Sequence, residues 1–173
     1  MFLSKSKLGR AGLAVVGALS LVFGLESEAH ASTWFVHDNM EGVPPWSFDG
    51  GGPHSGAWST TQYYSPVRSA YLTAGYNAWS TVGRMVNIPT GLTTCNAEFL
   101  VRVATPQPLV IEVIDPVTWT YLAYTSVEIS TVNSWRIATG DNFSIPSGRN
   151  VYVRATINSI QIAYVDDMYV WCQ

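Results

Sequence analysis

The chain has 173 residues, of which 12% are charged and 13% aromatic, with a formal net charge of −3 at pH 7. This length suits one domain with a sizeable core behind a short leader. Residues 32–173 contain six arginines spread singly along the chain and no lysine. Binding to the phosphates of nucleic acid needs clustered basic residues, so we do not expect nucleic acid as a partner.

The first 31 residues have the pattern of an export signal. Three basic side chains in the first ten residues precede an apolar run at 11–25, and Ala29-His30-Ala31 is a small-x-small cleavage site. A membrane anchor is the alternative, but the run is short of the ~20 residues that a spanning helix needs. We therefore predict a secreted, extracellular mature domain, residues 32–173, with no membrane span.

The two cysteines, Cys95 and Cys172, both lie in the predicted exported domain. Oxidation is permitted outside the cytoplasm, so a disulfide between them is the expected arrangement. A zinc site would need more ligands than this pair. A catalytic thiol would not normally be the penultimate residue.

Strand-forming residues dominate the mature part, and helix signals are nearly absent. Turn residues rich in proline, glycine and asparagine separate the apolar runs. The predicted strands are 33–38, 69–73, 80–88, 96–104, 109–114, 121–127, 134–139, 151–157 and 160–171. The glycine- and proline-rich segment 42–66 is predicted to be a long ordered loop. The pattern predicts an all-β, two-sheet antiparallel β-sandwich of jelly-roll type.

The last predicted strand carries two adjacent carboxylates, Asp166 and Asp167, in its middle. Simple alternation places Ile162, Tyr164, Asp166 and Met168 together on the inward face. A buried ionised carboxylate requires a cation or hydrogen-bond donors.

The order of short motifs along the chain carries a resemblance to a known group of domains. The motifs are Asp38-Asn39-Met40-Glu41-Gly42, Pro45-Trp46-Ser47-Phe48-Asp49-Gly50-Gly51, Ser69-Ala70-Tyr71-Leu72, Trp135 and Val165-Asp166-Asp167-Met168-Tyr169-Val170. The chain resembles the galactose-binding-like jelly rolls, which include the carbohydrate-binding modules of glycoside hydrolases and the MAM-like cleaved-adhesin domains of bacterial secreted proteins.

The resemblance implies a structural calcium ion held by Glu41 and Asp166. Calcium takes six to eight oxygen ligands in irregular geometry, which suits carboxylates and carbonyls. The alternative is that Asp166 accepts backbone N–H bonds or pairs with an arginine such as Arg68, and that Glu41 is only a turn residue.

Aromatic rings beside polar groups are candidates to hold a sugar. They fall in the loop 74–79, in the turn after Asp115, and at outward positions of strands that could be neighbours on one sheet. The predicted ligand-binding residues are Tyr76, Trp79, Trp119, Tyr152, Arg102 and Arg154. Each ring could instead serve packing, and we interpret Trp46, Trp58 and Trp135 in that way. The alternation of Trp135 with Ile137 places Trp135 in the predicted core.

The sequence therefore predicts a non-catalytic module that binds extracellular carbohydrate, and no enzyme. A protein-interaction or adhesin-type module is the alternative from another class. The catalytic motifs Gly-x-Ser-x-Gly and His-Glu-x-x-His are absent from the sequence. A glycan-acting enzyme stays open only if two acids, such as outward Glu98 and Glu112, face one cleft.

Overall fold

The computed structural model describes residues 34–42, 45–145 and 149–173, which form twelve β-strands and no helix. The predicted export signal and the predicted turn at 146–148 lie outside the described residues. A membrane-spanning helix is likewise not found in the described part of the chain. The strands are β1 (Trp34–Asp38), β2 (Ser47–Gly51), β3 (His54–Ser59), β4 (Ser69–Ala74), β5 (Trp79–Asn87), β6 (Thr94–Val103), β7 (Gln107–Asp115), β8 (Thr120–Ile129), β9 (Arg136–Thr139), β10 (Phe143–Ser144), β11 (Asn150–Asn158) and β12 (Gln161–Cys172).

The strands form two antiparallel sheets, which confirms the predicted all-β sandwich. The seven-stranded sheet runs β10-β6-β12-β4-β3, with β1 also paired to β12 and β9 to β6. The five-stranded sheet runs β2-β5-β11-β7-β8. The inward faces of both sheets meet in one apolar core. Phe99, Leu72, Ile111 and Ile157 are among the largest side chains that are fully buried there. Each contributes roughly 1.5–3 kcal/mol relative to an exposed position.

The segment 42–66 is not a loop throughout, so that prediction was wrong. It contains β2, which pairs with β5 in the five-stranded sheet, and β3, which pairs with β4 in the seven-stranded sheet. Gly56 permits β2 and β3 to pack closely against each other, because a β-carbon there would lie 2.6 Å from the Phe48 ring. Phe48 in turn meets Trp58 edge-on, with ring centroids 5.1 Å apart. The two strands pack closely through glycine and lack the β-branched residues on which strand prediction depends.

The face assignment of the last strand was wrong in its first half. A β-bulge at Asp166 and Asp167 shifts the register of β12 against β6. Ala163 and Val165 are therefore fully buried before the bulge, whereas Ile162 is 42% exposed. An inserted residue exchanges the two faces of every position on one side of it.

Trp135 was also misassigned, since it lies half-buried at the surface and outside the core. Its ring meets that of Tyr64 edge-on at 6.2 Å. Ala138 is the buried residue of β9, so its neighbour Ile137 faces outward and is 59% exposed. Trp46, by contrast, is buried as predicted.

The predicted disulfide is present between Cys95 and Cys172, which are 77 residues apart. The two residues are direct partners in the register of β6 and β12. Both side chains lie in the core. The bridge therefore ties the end of the chain to the middle of the seven-stranded sheet.

Replacing both cysteines by alanine should lower the free energy of unfolding by roughly 4 kcal/mol, because the bridge restricts a loop of about 80 residues in the unfolded chain. Guanidinium denaturation of the two forms measures this difference. Wild-type protein treated with a reductant should unfold at the midpoint of the double variant. Coincident midpoints for the oxidised wild type and the double variant would contradict a stabilising bridge.

Candidate functional site

A cleft of about 340 Å³ opens on the outer face of the five-stranded sheet. Its lining comes from β5, β11, β7 and β8, which are consecutive neighbours in that sheet. We call it the five-strand cleft. Its lining residues are Trp79, Glu112, Tyr121, Tyr124, Arg154, Thr156 and Asn158.

A buried ion pair forms the centre of the five-strand cleft. Arg154 Nε donates to Glu112 Oε2 at 2.5 Å, and the Thr156 hydroxyl donates to the same oxygen at 2.6 Å. The two side chains are only 15% and 5% exposed. Burial acts to lower the pKa of Arg154, but its hydrogen bond to Glu112 and the charge of that carboxylate raise it overall. The two charges of the lining thus neutralise each other.

Trp79 forms one wall of the five-strand cleft and is held in place from two sides. The guanidinium carbon of Arg154 lies 5.6 Å from the centre of the Trp79 ring. Gly51 of β2 lies against the indole of Trp79. A β-carbon at this glycine would be only 2.5 Å from the indole nitrogen. The position therefore requires glycine for close packing.

Tyr121 and Tyr124 form the opposite wall. Their rings meet edge-on at 5.5 Å, and the residues are 55% and 54% exposed. Residues three apart in a regular strand point to opposite faces. A register shift between Val113 and Ile114 of β7 inserts an extra residue into β8, and this brings both tyrosines to the outer face.

Two of the predicted ligand-binding residues, Trp79 and Arg154, are brought together in the five-strand cleft. Tyr152 lies beside them on β11, and its hydroxyl is 2.7 Å from the hydroxyl of Ser47. Tyr76 and Trp119 lie in turns and are 72% and 69% exposed, but they do not line the cleft.

The prediction that the strand of Arg102 is a neighbour of the strand of Tyr152 and Arg154 was wrong. Its strand, β6, belongs to the seven-stranded sheet, while β7 and β11 belong to the other. The same topology separates Glu98 of β6 from Glu112 of β7, so these two acids do not share a cleft. Alternation gives the face of a residue within its own sheet, but it does not say which sheet a strand joins.

Sequence reasoning missed four lining residues, Tyr121, Tyr124, Thr156 and Asn158. The two tyrosines gave no clear signal, because their spacing contradicts a shared face until the bulge is known. Alternation along the predicted strand 151–157 places Thr156 on the outward face together with Arg154, and this signal could have identified it.

Comparisons with solved structures find carbohydrate-binding modules with this fold. The xylan-binding domain CBM22-1 from Paenibacillus barcinonensis Xyn10C is 12% identical, with a TM-score of 0.57 over 79% of this chain and 92% of that one. The module TmCBM61, solved with β-1,4-galactotriose, is 14% identical, with a TM-score of 0.54 over 75% of this chain and 89% of that one.

A family 11 carbohydrate-binding module from Clostridium thermocellum, solved with a β-1,3-1,4-mixed-linked tetrasaccharide, is 10% identical, with a TM-score of 0.51 over 80% of this chain and 94% of that one. No protein-family model and no curated protein matches the chain. The resemblance to carbohydrate-binding jelly rolls is thus confirmed at the level of the fold.

The carboxylate of Asp166, one of the two predicted calcium ligands, is completely buried and surrounded by donors. Its Oδ2 accepts the N–H groups of Tyr64 and Ser65 at 2.7 and 3.0 Å. Its Oδ1 accepts the Ser65 hydroxyl and the N–H of Asp167, both at 2.9 Å. Burial raises the pKa of Asp166, while these hydrogen bonds act to lower it.

The second predicted ligand, Glu41, is engaged in the same way. Its Oε1 accepts the N–H groups of Val67 and Arg68 at 2.8 and 3.0 Å. The Arg68 guanidinium donates to the carbonyls of Met40 and Gly42, at 3.0 and 2.6 Å. Among the described residues, no three His, Cys, Asp or Glu side chains form a group that could hold a metal. Donors thus contact both oxygens of Asp166 and one oxygen of Glu41, which is the alternative arrangement that the sequence leaves open. The calcium site stays a prediction from the resemblance.

Thermal unfolding with calcium and then with excess chelator tests this site. A site that binds only the folded state would add about 2.7 kcal/mol at a hundredfold excess over Kd. If hydrogen bonds alone hold Asp166 and Glu41, the two melting temperatures should coincide. A calcium-dependent rise that Asp166→Asn removes would instead establish the metal.

Glu112→Gln should lower the free energy of unfolding by about 3 kcal/mol, because it leaves the charge of Arg154 buried without its partner. Urea denaturation measures the loss. The double variant Glu112→Leu/Arg154→Met, which removes both charges, should recover most of it. If the single and double variants lost the same free energy of unfolding, the unpaired charge of Arg154 would not be the cause of the destabilisation.

Proposed function

We propose that the domain is a secreted, non-catalytic carbohydrate-binding module that holds a neutral glycan chain in the five-strand cleft. The observation that carries this proposal is the facing pair of aromatic walls, Trp79 and Tyr121 with Tyr124, across a polar floor. Aromatic rings pack against the apolar C–H faces of sugars, and polar groups between them take the hydroxyls. The exposed side chain of Asn158 supplies such a group at the cleft.

The charge state of the cleft supports a neutral ligand. Among the described residues, the charged side chains of its lining are Glu112 and Arg154, which are paired with each other. An acidic sugar would meet no unpaired cation there, and a basic one no unpaired acid. The predicted export signal supports a ligand outside the cell.

The same lining supports binding without hydrolysis. Glycoside hydrolysis generally uses two carboxylates on either side of the scissile bond. The lining, as far as the structure describes the chain, contains one carboxylate, Glu112, which accepts hydrogen bonds from Arg154 and Thr156. The structural neighbours that bind xylan, galactotriose and a mixed-linked tetrasaccharide suggest the polysaccharides to test first.

Affinity electrophoresis in gels containing xylan, β-1,4-galactan or β-1,3-1,4-mixed-linked glucan tests the proposal. The wild type should be retarded in at least one gel. Trp79→Ala should weaken binding about thirtyfold, which corresponds to the ~2 kcal/mol of a central aromatic contact. Tyr124→Ala should weaken it in the same direction.

Tyr63→Ala is the matched control, because Tyr63 is an exposed loop tyrosine outside the cleft. It should migrate like the wild type in every gel. Circular dichroism of each variant establishes that the fold is retained. Unchanged retardation of both Trp79→Ala and Tyr124→Ala would reject the cleft as the binding site.

A further inference from the structure

The outer face of the seven-stranded sheet carries two cavities, of about 450 and 320 Å³, between β3, β4 and β12. We call them together the outer trough. The first is lined by Pro53, His54, Ser55, Thr73, Ala74, Gly75, Ile160, Gln161 and Ile162. The second is lined by Trp58, Ser59, Thr60, Thr61, Tyr71 and Tyr164.

The strand register makes the two cavities adjacent. Ser55 pairs with Thr73, which pairs with Ile162. Two residues further along β4, Tyr71 pairs with Ala57 on one side and Tyr164 on the other. Side chains two apart share a face, so the two rows form one surface. At about 3.4 Å per residue, the length of β3 gives the trough roughly 17–20 Å.

Two half-exposed tyrosine rings form the middle of the outer trough. The centroids of Tyr71 and Tyr164 are 5.1 Å apart, with an angle of 40° between their planes. Trp58 contributes to the lining at one end, but its ring packs on the core side of β3, where Phe48 meets it edge-on and the guanidinium carbon of Arg68 lies 4.1 Å from its centre.

The polar groups of the outer trough are almost all uncharged. Hydroxyls of Ser59, Thr60 and Thr61 lie at one end, and Gln161 and His54 at the other. No Asp, Glu, Lys or Arg side chain is part of either described lining. Arg102 flanks the trough as the cross-strand partner of Tyr164.

We propose that the outer trough is a second binding surface for a neutral glycan chain. Its rings and hydroxyls are the groups that a neutral polysaccharide requires, and the lack of charge in the lining matches such a ligand. The class of ligand rests on the proposed function of the five-strand cleft. Because the two surfaces lie on opposite faces of the sandwich, the domain would bind two separate chains and bridge them.

The test uses Ala57→Arg, which places a long charged side chain beside Tyr71 and leaves both rings in place. Ala57 is exposed, so the substitution removes no core contact. Ser144→Arg adds the same charge at an exposed position of β10, outside the trough. Each variant is made alone and together with Trp79→Ala, and migration is compared in gels containing xylan, β-1,4-galactan or β-1,3-1,4-mixed-linked glucan.

We expect Trp79→Ala to retain a weaker retardation, and Trp79→Ala/Ala57→Arg to lose about tenfold or more of that remaining affinity. Trp79→Ala/Ser144→Arg should keep it. The wild type mixed with the soluble polysaccharide should become turbid through bridging, and either Trp79→Ala or Ala57→Arg alone should prevent this.

The outcomes separate the two proposals. Complete loss of retardation in Trp79→Ala, with a retarded wild type, would overturn the second surface and leave the cleft proposal standing. Retardation that depends on Ala57 and not on Trp79 would overturn the cleft assignment and support the trough. A wild type that no gel retards would overturn both.

Discussion

The β-bulge at Asp166 and Asp167 is the constraint on which both faces of the seven-stranded sheet depend. Before it, β12 pairs with β4 through Val165, and after it β12 pairs with β1 from Met168. The gap between these neighbours is closed by the loop at Tyr64 and Ser65, whose N–H groups donate to the Asp166 carboxylate. One carboxylate thus replaces the strand partner that β12 lacks at this point.

The same bulge decides which side chains reach solvent. Without it, Ile162 and Tyr164 would point into the core together with Met168. With it, Ala163 and Val165 fill the core and Tyr164 faces outward. The Ser65 hydroxyl oxygen also lies 2.6 Å from Asp167 Oδ1, so its single proton is shared between the two carboxylates. The Tyr169 hydroxyl donates to Asp167 Oδ2 at 3.1 Å. Burial and the charge of Asp167 raise the pKa of Tyr169 to about 12, so its hydroxyl keeps its proton.

Most of the fold could be predicted from alternation and turn residues, because strands such as β6 and β11 show an unbroken period of two. The disulfide could be predicted as well, because only Cys95 and Cys172 were available. Strands β2 and β3 escaped prediction because their packing depends on glycine and not on an apolar pattern. The set of residues that lines the candidate cleft was harder to predict. Trp79 and Arg154 were found from residue type and outward face, but Arg102 required knowledge of which sheet β6 joins.

Bulges explain why the rest of the site could not be predicted. Each inserted residue reverses the faces of a strand beyond it, and a simple period-two assignment does not place the insertion. In β8 the insertion brings Tyr121 and Tyr124 to one wall of the five-strand cleft, and in β12 it turns Tyr164 toward the outer trough. Part of the ring-bearing surface of each sheet is therefore placed by a departure from regular strand geometry, while Trp79 and Tyr71 lie on regular strands. Bulges often change the direction of side chains next to binding sites. Residue type alone therefore identified single aromatic candidates, but it did not show which of them share a surface.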